Sequence, residues 1–218
     1  MILVFDSTDK YPLQKIGKMA GVCWNSPIDD PEKNIKRAKE CVTSGHGRVL
    51  EYVDIEICIS EYSARAIREY YTHIGGGPTR LQESTRYVNC EKFGYFTPPT
   101  VKGNAEELYA ECMDFIKEKY AALLEAGVSK EDAANILPLG MHTKIVDKRN
   151  LRNMVNLMNQ RLCSRAYAEI RALANEIKSS LAAYSSEWEW ICNNLFVPKC
   201  DVSGFCTEKK TCGRRPQK

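Results

Sequence analysis

The sequence predicts an α+β fold: a mixed sheet packed with a long central helix and several flanking helices. In residues 53–60, Val53, Ile55, Ile57 and Ile59 alternate with Asp54, Glu56, Cys58 and Ser60, the period of a strand with one buried face. Residues 151–181 carry an apolar stripe at helical spacing, from Leu151 and Met154 through Met158, Ile170 and Ile177 to Leu181. They are expected to form one core helix of about eight turns. Strands and helices do not alternate regularly enough for a parallel sheet of β-α-β units.

The remaining elements follow in order. Residues 1–5 form a short apolar run suited to a first strand, and residues 12–24 suit a helix. Asp30 and Pro31 supply an N-cap and an N1 proline for a helix that runs through Cys41 and stops near Gly45. Ser63 caps a short helix carrying Arg65, Arg68 and Glu69 toward His73. Gly75, Gly76, Gly77 and Pro78 then impose a loop over residues 73–80. Residues 86–96, rich in Tyr and Phe, are expected to return as extended chain stopped by Pro98 and Pro99. Asn104 with Glu107 resembles a capping box opening a helix that lasts to Gly127, and Ser129 restarts a short helix that Pro138 ends. The division expected is a catalytic-sized domain at 1–197 and a polar, Cys-containing tail at 198–218.

The formal net charge of +3, from 31 Lys and Arg against 28 Asp and Glu, is too mild for a protein that grips a nucleic-acid polymer. An anionic ligand would be held by a few placed cations instead. The first residues lack a basic segment followed by a long apolar run, and no stretch approaches the roughly 18 apolar residues of a membrane span. A cytoplasmic protein is expected, with its ten cysteines as thiols. Cys58, Cys112 and Cys163 lie in periodic segments and read as small buried hydrophobes. Cys200, Cys206 and Cys212 are evenly spaced but contain no CxxC pair, so no metal site is expected there. Cys192 is the candidate fourth thiol if the helix end folds back.

Two segments concentrate chemistry. Residues 72–87, THIGGGPTRLQESTRY, combine a His, three glycines, two arginines and several hydroxyls. Glycines let backbone approach a ligand closely, and Arg80 and Arg86 offer planar forks for a phosphate or a carbonyl edge. The alternative is a surface loop with solvated arginines. Residues 156–171, NLMNQRLCSRAYAEIR, set the amides of Asn156, Asn159 and Gln160 and the guanidinium of Arg161 into an apolar stripe. They read either as an amide network between core helices or as the polar edge of a ligand site, with Arg161 facing a carbonyl whose charge grows during attack.

Taken in order, these segments resemble the flavin-dependent thymidylate synthase family over most of the chain. That family sets a His and a Glu before a strand, as His46 and Glu51 stand here, and follows with an RHR signature and a stretch ending SxRY. Here the corresponding residues are THI at 72–74 and STRY at 84–87. FGYFTPP at 93–99 is similar to the family's aromatic-then-proline strand, and ANILPLGMHTK at 134–144 to its LP-containing helix end. Asn156, Arg161, Ala166, Glu169 and Ile170 fall in family register.

The resemblance implies the family's fold and a homotetramer with FAD sites between subunits. It implies reductive methylation of dUMP to dTMP, with 5,10-methylenetetrahydrofolate as carbon donor, NADPH or NADH as reductant and FAD as hydride carrier. No cysteine nucleophile is needed. His46, Glu51, His73 and Asn156 would bind FAD. Arg80, Gln82, Ser84, Arg86 and Arg161 would bind the nucleotide, with Arg161, Ser84 and Arg86 acting in catalysis. Both RHR arginines are absent, the spacing to Ser84 is longer by about two residues, and Ala134 stands where members carry an Arg. Arg80 is the candidate replacement. The alternatives are a relative that modifies another pyrimidine nucleotide and a non-catalytic nucleotide-binding protein of the same fold.

Overall fold

The computed structural model describes all residues from Met1 to Lys218. The chain begins with strand β1 (Ile2–Val4), then helices α1 (Pro12–Cys23) and α2 (Pro31–Thr43) and a 3-10 turn at Gly47–Tyr52. Pro12 and Pro31 open the two helices, and the Asp30 carboxylate accepts from Lys33 N at 3.1 Å as the expected cap. Strand β2 (Asp54–Ser63) leads into α3 (Ala64–Tyr70), capped by Ser63, and β3 (Thr79–Gln82) lies just beyond the glycine loop. Next come α4 (Asn104–Glu125) and α5 (Lys130–Ala133), capped by Ser129 as expected, then β4 (His142–Asn150). Helices α6 (Leu151–Arg161), α7 (Ala168–Tyr184), α8 (Ser186–Asn194) and α9 (Lys199–Ser203) complete the chain.

The α+β class holds, with one refinement: the sheet, in the order β1-β2-β4-β3, is antiparallel at every pairing. The inner face presents Ile55, Ile57, Ile59 and Ile145 to a core completed by α1, α6, α7 and α8, with Trp188 and Phe196 fully buried. The outer face is open. Leu3, Cys58, Val146 and Leu81 form one apolar row across all four strands, and Leu81 is 75% exposed. A smaller core of Phe93, Met113, Tyr120 and Met141 gathers α4 and α5 beside the sheet.

Four expectations are corrected. The single long helix is two, because the chain turns at residues 162–167. No glycine or proline marks that turn; its carbonyls at Ser164 and Ala166 accept from the Arg171 guanidinium at 2.8 and 3.3 Å, which stabilises the open backbone. Residues 86–96 are turns rather than a strand, held by the bridge from Tyr95 to Met141 and by packing of Cys90 and Phe93 in the smaller core. The helix after Gly103 is capped by that glycine without a side chain, so Asn104 is its first residue and forms no capping box. Among the three cysteines expected to be buried, Cys112 is exposed and Cys58 and Cys163 are half-buried.

Candidate active site

Helix α3 ends at Tyr70, and one more turn carries the chain to His73, which is 8% exposed. Its Nε2 accepts from Nε of Arg161, the last residue of α6, at 3.0 Å. An arginine Nε can only donate, so the imidazole is neutral, with its proton on Nδ1. Burial, then the positive charges of Arg161 and Arg149, lower the His73 pKa to about 4. Arg161 is held further by the Glu69 carboxylate at 3.3 Å and Thr72 Oγ1 at 3.2 Å. One N–H of its Nη1 is left without a protein partner, and the side chain is 20% exposed.

The loop that carries His73 is anchored from beneath by buried polar groups. Asn153, on the first turn of α6, donates through Nδ2 to the carbonyl oxygens of His73, at 3.2 Å, and Gly75. Its Oδ1 accepts from Arg149 at 2.6 Å. Arg149 in turn grips both oxygens of Asp147, at 2.6 and 2.8 Å, and lies 4.2 Å over the Tyr70 ring. The Tyr70 hydroxyl donates to Asp147 at 2.8 Å, and neither charge reaches solvent. Every member has a partner, the condition under which buried polar groups rigidify a structure. Gly76, at φ +81°, sits against the Asn150 amide, which a Cβ would meet at 2.7 Å. Both ends of α6 therefore touch the segment from Glu69 to Gly76.

The other expected site residues fall into two further groups. On the outer flank of α6, Asn156 is exposed one turn beyond Arg152, whose guanidinium lies so close over Gly47 that a Cβ there would be 2.0 Å away. Exposed His46 directly precedes Gly47, and exposed Glu51 lies on the same 3-10 turn. After β3, Ser84 Oγ accepts from Arg86 N at 3.3 Å and Arg86 pairs with exposed Glu131 at 2.8 Å. Gln82 donates to Thr143 at 3.2 Å. No hydrogen bond joins Ser84 or Arg86 to Arg161 or His73 within one chain. Arg80 lies on β3 rather than in the loop, stacks 4.2 Å from the Tyr71 ring and donates to Tyr71 O at 3.1 Å.

The amides also redistribute. Asn156 and Gln160 are exposed, while Asn159 donates to the carbonyls of Leu195 and Val197, which ties α6 to the segment that follows α8. The buried amide is Asn153, which the sequence reading passed over along with Tyr70, Asp147, Arg149 and Arg152. The available signal was the segment KIVDKRN, in which Asp147 and Arg149 take inward positions of a strand while Lys144, Val146 and Lys148 face out.

The family described as thymidylate synthase complementing protein matches residues 4–184. This chain belongs to that family. A family relative, the flavin-dependent thymidylate synthase of Nitratidesulfovibrio vulgaris, is 30% identical over 192 residues, covering 79% of this chain and 73% of its own. The Clostridium tetani protein of the same name is 28% identical and covers 93% and 89%. The match to the Saccharolobus solfataricus protein, at 33% identity, covers 62% of this chain and spans about half of that relative, 52%. The family fold is also that of the flavin-dependent thymidylate synthase of Helicobacter pylori, solved with FAD and dUMP. It superposes at TM-score 0.69 with 19% identity over 86% of this chain and 97% of its own.

Two outcomes are expected from this geometry. Asp147→Ala leaves Arg149 buried without its counter-ion and should cost about 3–5 kcal/mol in urea unfolding; a loss under about 1 kcal/mol would contradict the anchoring role. The His73 imidazole takes up a proton near its usual 6.5 when unfolded but near 4 when folded. Stability should therefore fall as pH drops through that window, by up to about 1.4 kcal/mol per pH unit, and this contribution should level off below it. Comparing urea midpoints of the native chain and His73→Gln across the same pH series isolates the effect; equal slopes would contradict it.

Proposed function

We propose that this chain is a flavin-dependent thymidylate synthase. It would convert dUMP to dTMP with carbon from 5,10-methylenetetrahydrofolate and reducing equivalents from NADPH or NADH, through FAD. Family membership supports the reading, as do the names of its relatives and the FAD and dUMP of the Helicobacter pylori protein. The observation that carries it is the Arg161–His73 pair, a cation with a spare N–H fixed beside a neutral imidazole. A guanidinium so placed can meet a pyrimidine carbonyl and stabilise charge that develops on it.

The residues present fit FAD. His46, Arg152 and Asn156 gather a cation, an amide and an imidazole on one exposed flank, donors suited to a diphosphate and to the acceptor edge of a flavin ring. Glu51 stands beside them, and His73 offers a neutral ring from the adjoining loop. When bound, FAD supplies hydride transfer. Ser84 and Arg86 are proposed to hold the nucleotide phosphate. The Arg86 pair with Glu131 is exposed on both sides, so its release costs little. Gln82 and Arg80 would contribute to the same nucleotide.

Since Ser84 and Arg86 do not reach Arg161 within one chain, we place them in a site completed between subunits of a homotetramer. The open apolar row on the sheet is consistent with burial in such an assembly. No helix is long and apolar enough to cross a membrane. A cytoplasmic setting suits ten thiols, and neither a membrane nor a nucleic-acid polymer is a proposed partner. Residues 1–197 would form the catalytic domain and 198–218 an appended tail, in keeping with a family match that ends at 184.

The purified protein should bind FAD and, given dUMP, methylenetetrahydrofolate and NADPH, release dTMP detectable by mass spectrometry. Arg161→Ala should weaken dUMP binding about 10- to 100-fold, the worth of a charge-assisted hydrogen bond. Arg80→Ala should raise the same dissociation constant; an unchanged value would leave Arg80 only its contact with Tyr71. Thr72 and Ile74 in place of arginines make deoxycytidylate the informative second substrate. A folded protein that binds no flavin and turns over neither nucleotide would overturn the proposal.

A further inference from the structure

The C-terminal tail packs beside the end of α6 and forms one wall of a cleft there. Helix α9 is closed by Gly204 in the left-handed region, Cys206 bridges to Gln217, and Arg214 and Arg215 pair with Asp201 at 3.1 and 2.9 Å. The other wall is the end of α6 with the turn that follows it, and the cleft between them has a volume of about 450 Å³. Cys163, Cys200, Cys206 and Cys212 border it, while Cys192 is buried in the main core. No three of the cleft's thiols and carboxylates are close enough to share a metal ion. The family match ends at residue 184, so the tail wall lies outside the shared residues.

The charge of the cleft is lopsided. Arg161, Arg165, Lys199 and Lys210 line it against a single carboxylate, that of Glu208. Glu208 stands 3.9 Å from Arg165, and nearby Asp201 is taken by Arg214 and Arg215, which leaves exposed Lys199 and Lys210 without a carboxylate partner. A concave surface lined by one sign of charge concentrates ions of the other. Arg161 belongs both to this cleft and to the pair with His73, so a ligand lying in the cleft begins beside the proposed nucleotide base. The four cations come from separate stretches: the end of α6, the turn after it, the start of α9 and the segment beyond Gly204. That distribution suits carboxylates spaced along a chain. A single phosphate is more often cradled by a glycine-rich turn and a helix N-terminus, and no glycine lines this cleft.

We propose that this cleft binds the glutamyl carboxylates of the folate co-substrate, with Arg165, Lys199 and Lys210 as their counter-charges. The inference rests on the thymidylate synthase reading above. Folate ends in a glutamate, and each further γ-linked glutamate adds one carboxylate. Ala166 and Pro198 give the cleft apolar surface for the flat aminobenzoyl ring that precedes them. Holding the glutamyl end there tethers the carbon-bearing pterin near Arg161, which raises its effective concentration at the base. Arg165, Lys199 and Lys210 touch no reacting atom; they bind and position. The cleft serves in this way as it stands, with the tail in place.

Equilibrium binding of tetrahydrofolate carrying one and three glutamates, to the full chain with FAD and dUMP present, tests the cleft. The triglutamyl form should bind more tightly, and rising salt should narrow the difference. Lys199→Ala combined with Lys210→Ala should weaken the triglutamyl form about 3- to 20-fold, the worth of two exposed ion pairs, and leave dUMP affinity unchanged. Lys36→Ala, an exposed lysine on α2, should change neither folate. A native chain that makes dTMP yet binds both folates equally would overturn the cleft and leave the reaction standing. A double variant that weakens NADPH or dUMP but neither folate would overturn it in favour of a nucleotide phosphate. A folded chain that binds no folate and makes no dTMP would overturn the reaction and this inference together.

Discussion

The buried pair of Asp147 and Arg149 holds the loop, the helix and the sheet in one relation. Both charges are sealed from solvent, each is satisfied, and the Tyr70 hydroxyl and Asn153 amide extend the arrangement to α3 and α6. A buried ion pair is not in itself a source of net stability, since desolvating the charges offsets much of their attraction. Its value is specificity of position. With Arg149 fixed, Asn153 can hold the backbone of His73 and Gly75, and that backbone sets the imidazole against Arg161. A loop with three consecutive glycines has high freedom when unfolded, so rigid anchors beneath it are what make a defined site available.

The electrostatics of the site follow from that placement. His73 is neutral because it is buried and has cations on two sides, and this neutrality lets it accept the hydrogen bond that orients Arg161. Glu69 and Thr72 close around the same guanidinium, leaving an N–H directed elsewhere. One cation is thus held in a single pose over the turn where α6 ends, in a family whose relatives are named for pyrimidine chemistry.

Much of this was legible in the residues, unevenly and for physical reasons. The Ile55, Ile57 and Ile59 alternation and the Asp30–Pro31 and Ser63 caps are local signals, and each marked its element. Strand β4 escaped because its inward positions hold Asp147 and Arg149, so hydropathy alternation is lost where charges occupy the buried face. The break between α6 and α7 escaped because residues 162–167 are all compatible with a helix, and the turn is held by the Arg171 guanidinium on the Ser164 and Ala166 carbonyls. His73 and Arg161 were identified through the family resemblance and are in direct contact. Their support by Asn153 depends on a buried network that spans four elements and has no sequence period.

The central claim is that the groups around Arg161 and those around Ser84 serve one nucleotide from different subunits. Co-expressing Arg161→Ala and Ser84→Ala chains, each carrying a different affinity tag, and isolating the mixed assemblies tests it most directly. Each variant alone should bind dUMP poorly, while mixed assemblies should regain a fraction of native-affinity sites on titration, from pairs in which one chain gives Arg161 and its neighbour gives Ser84. Mixed assemblies that form yet regain no tight dUMP sites would contradict the account.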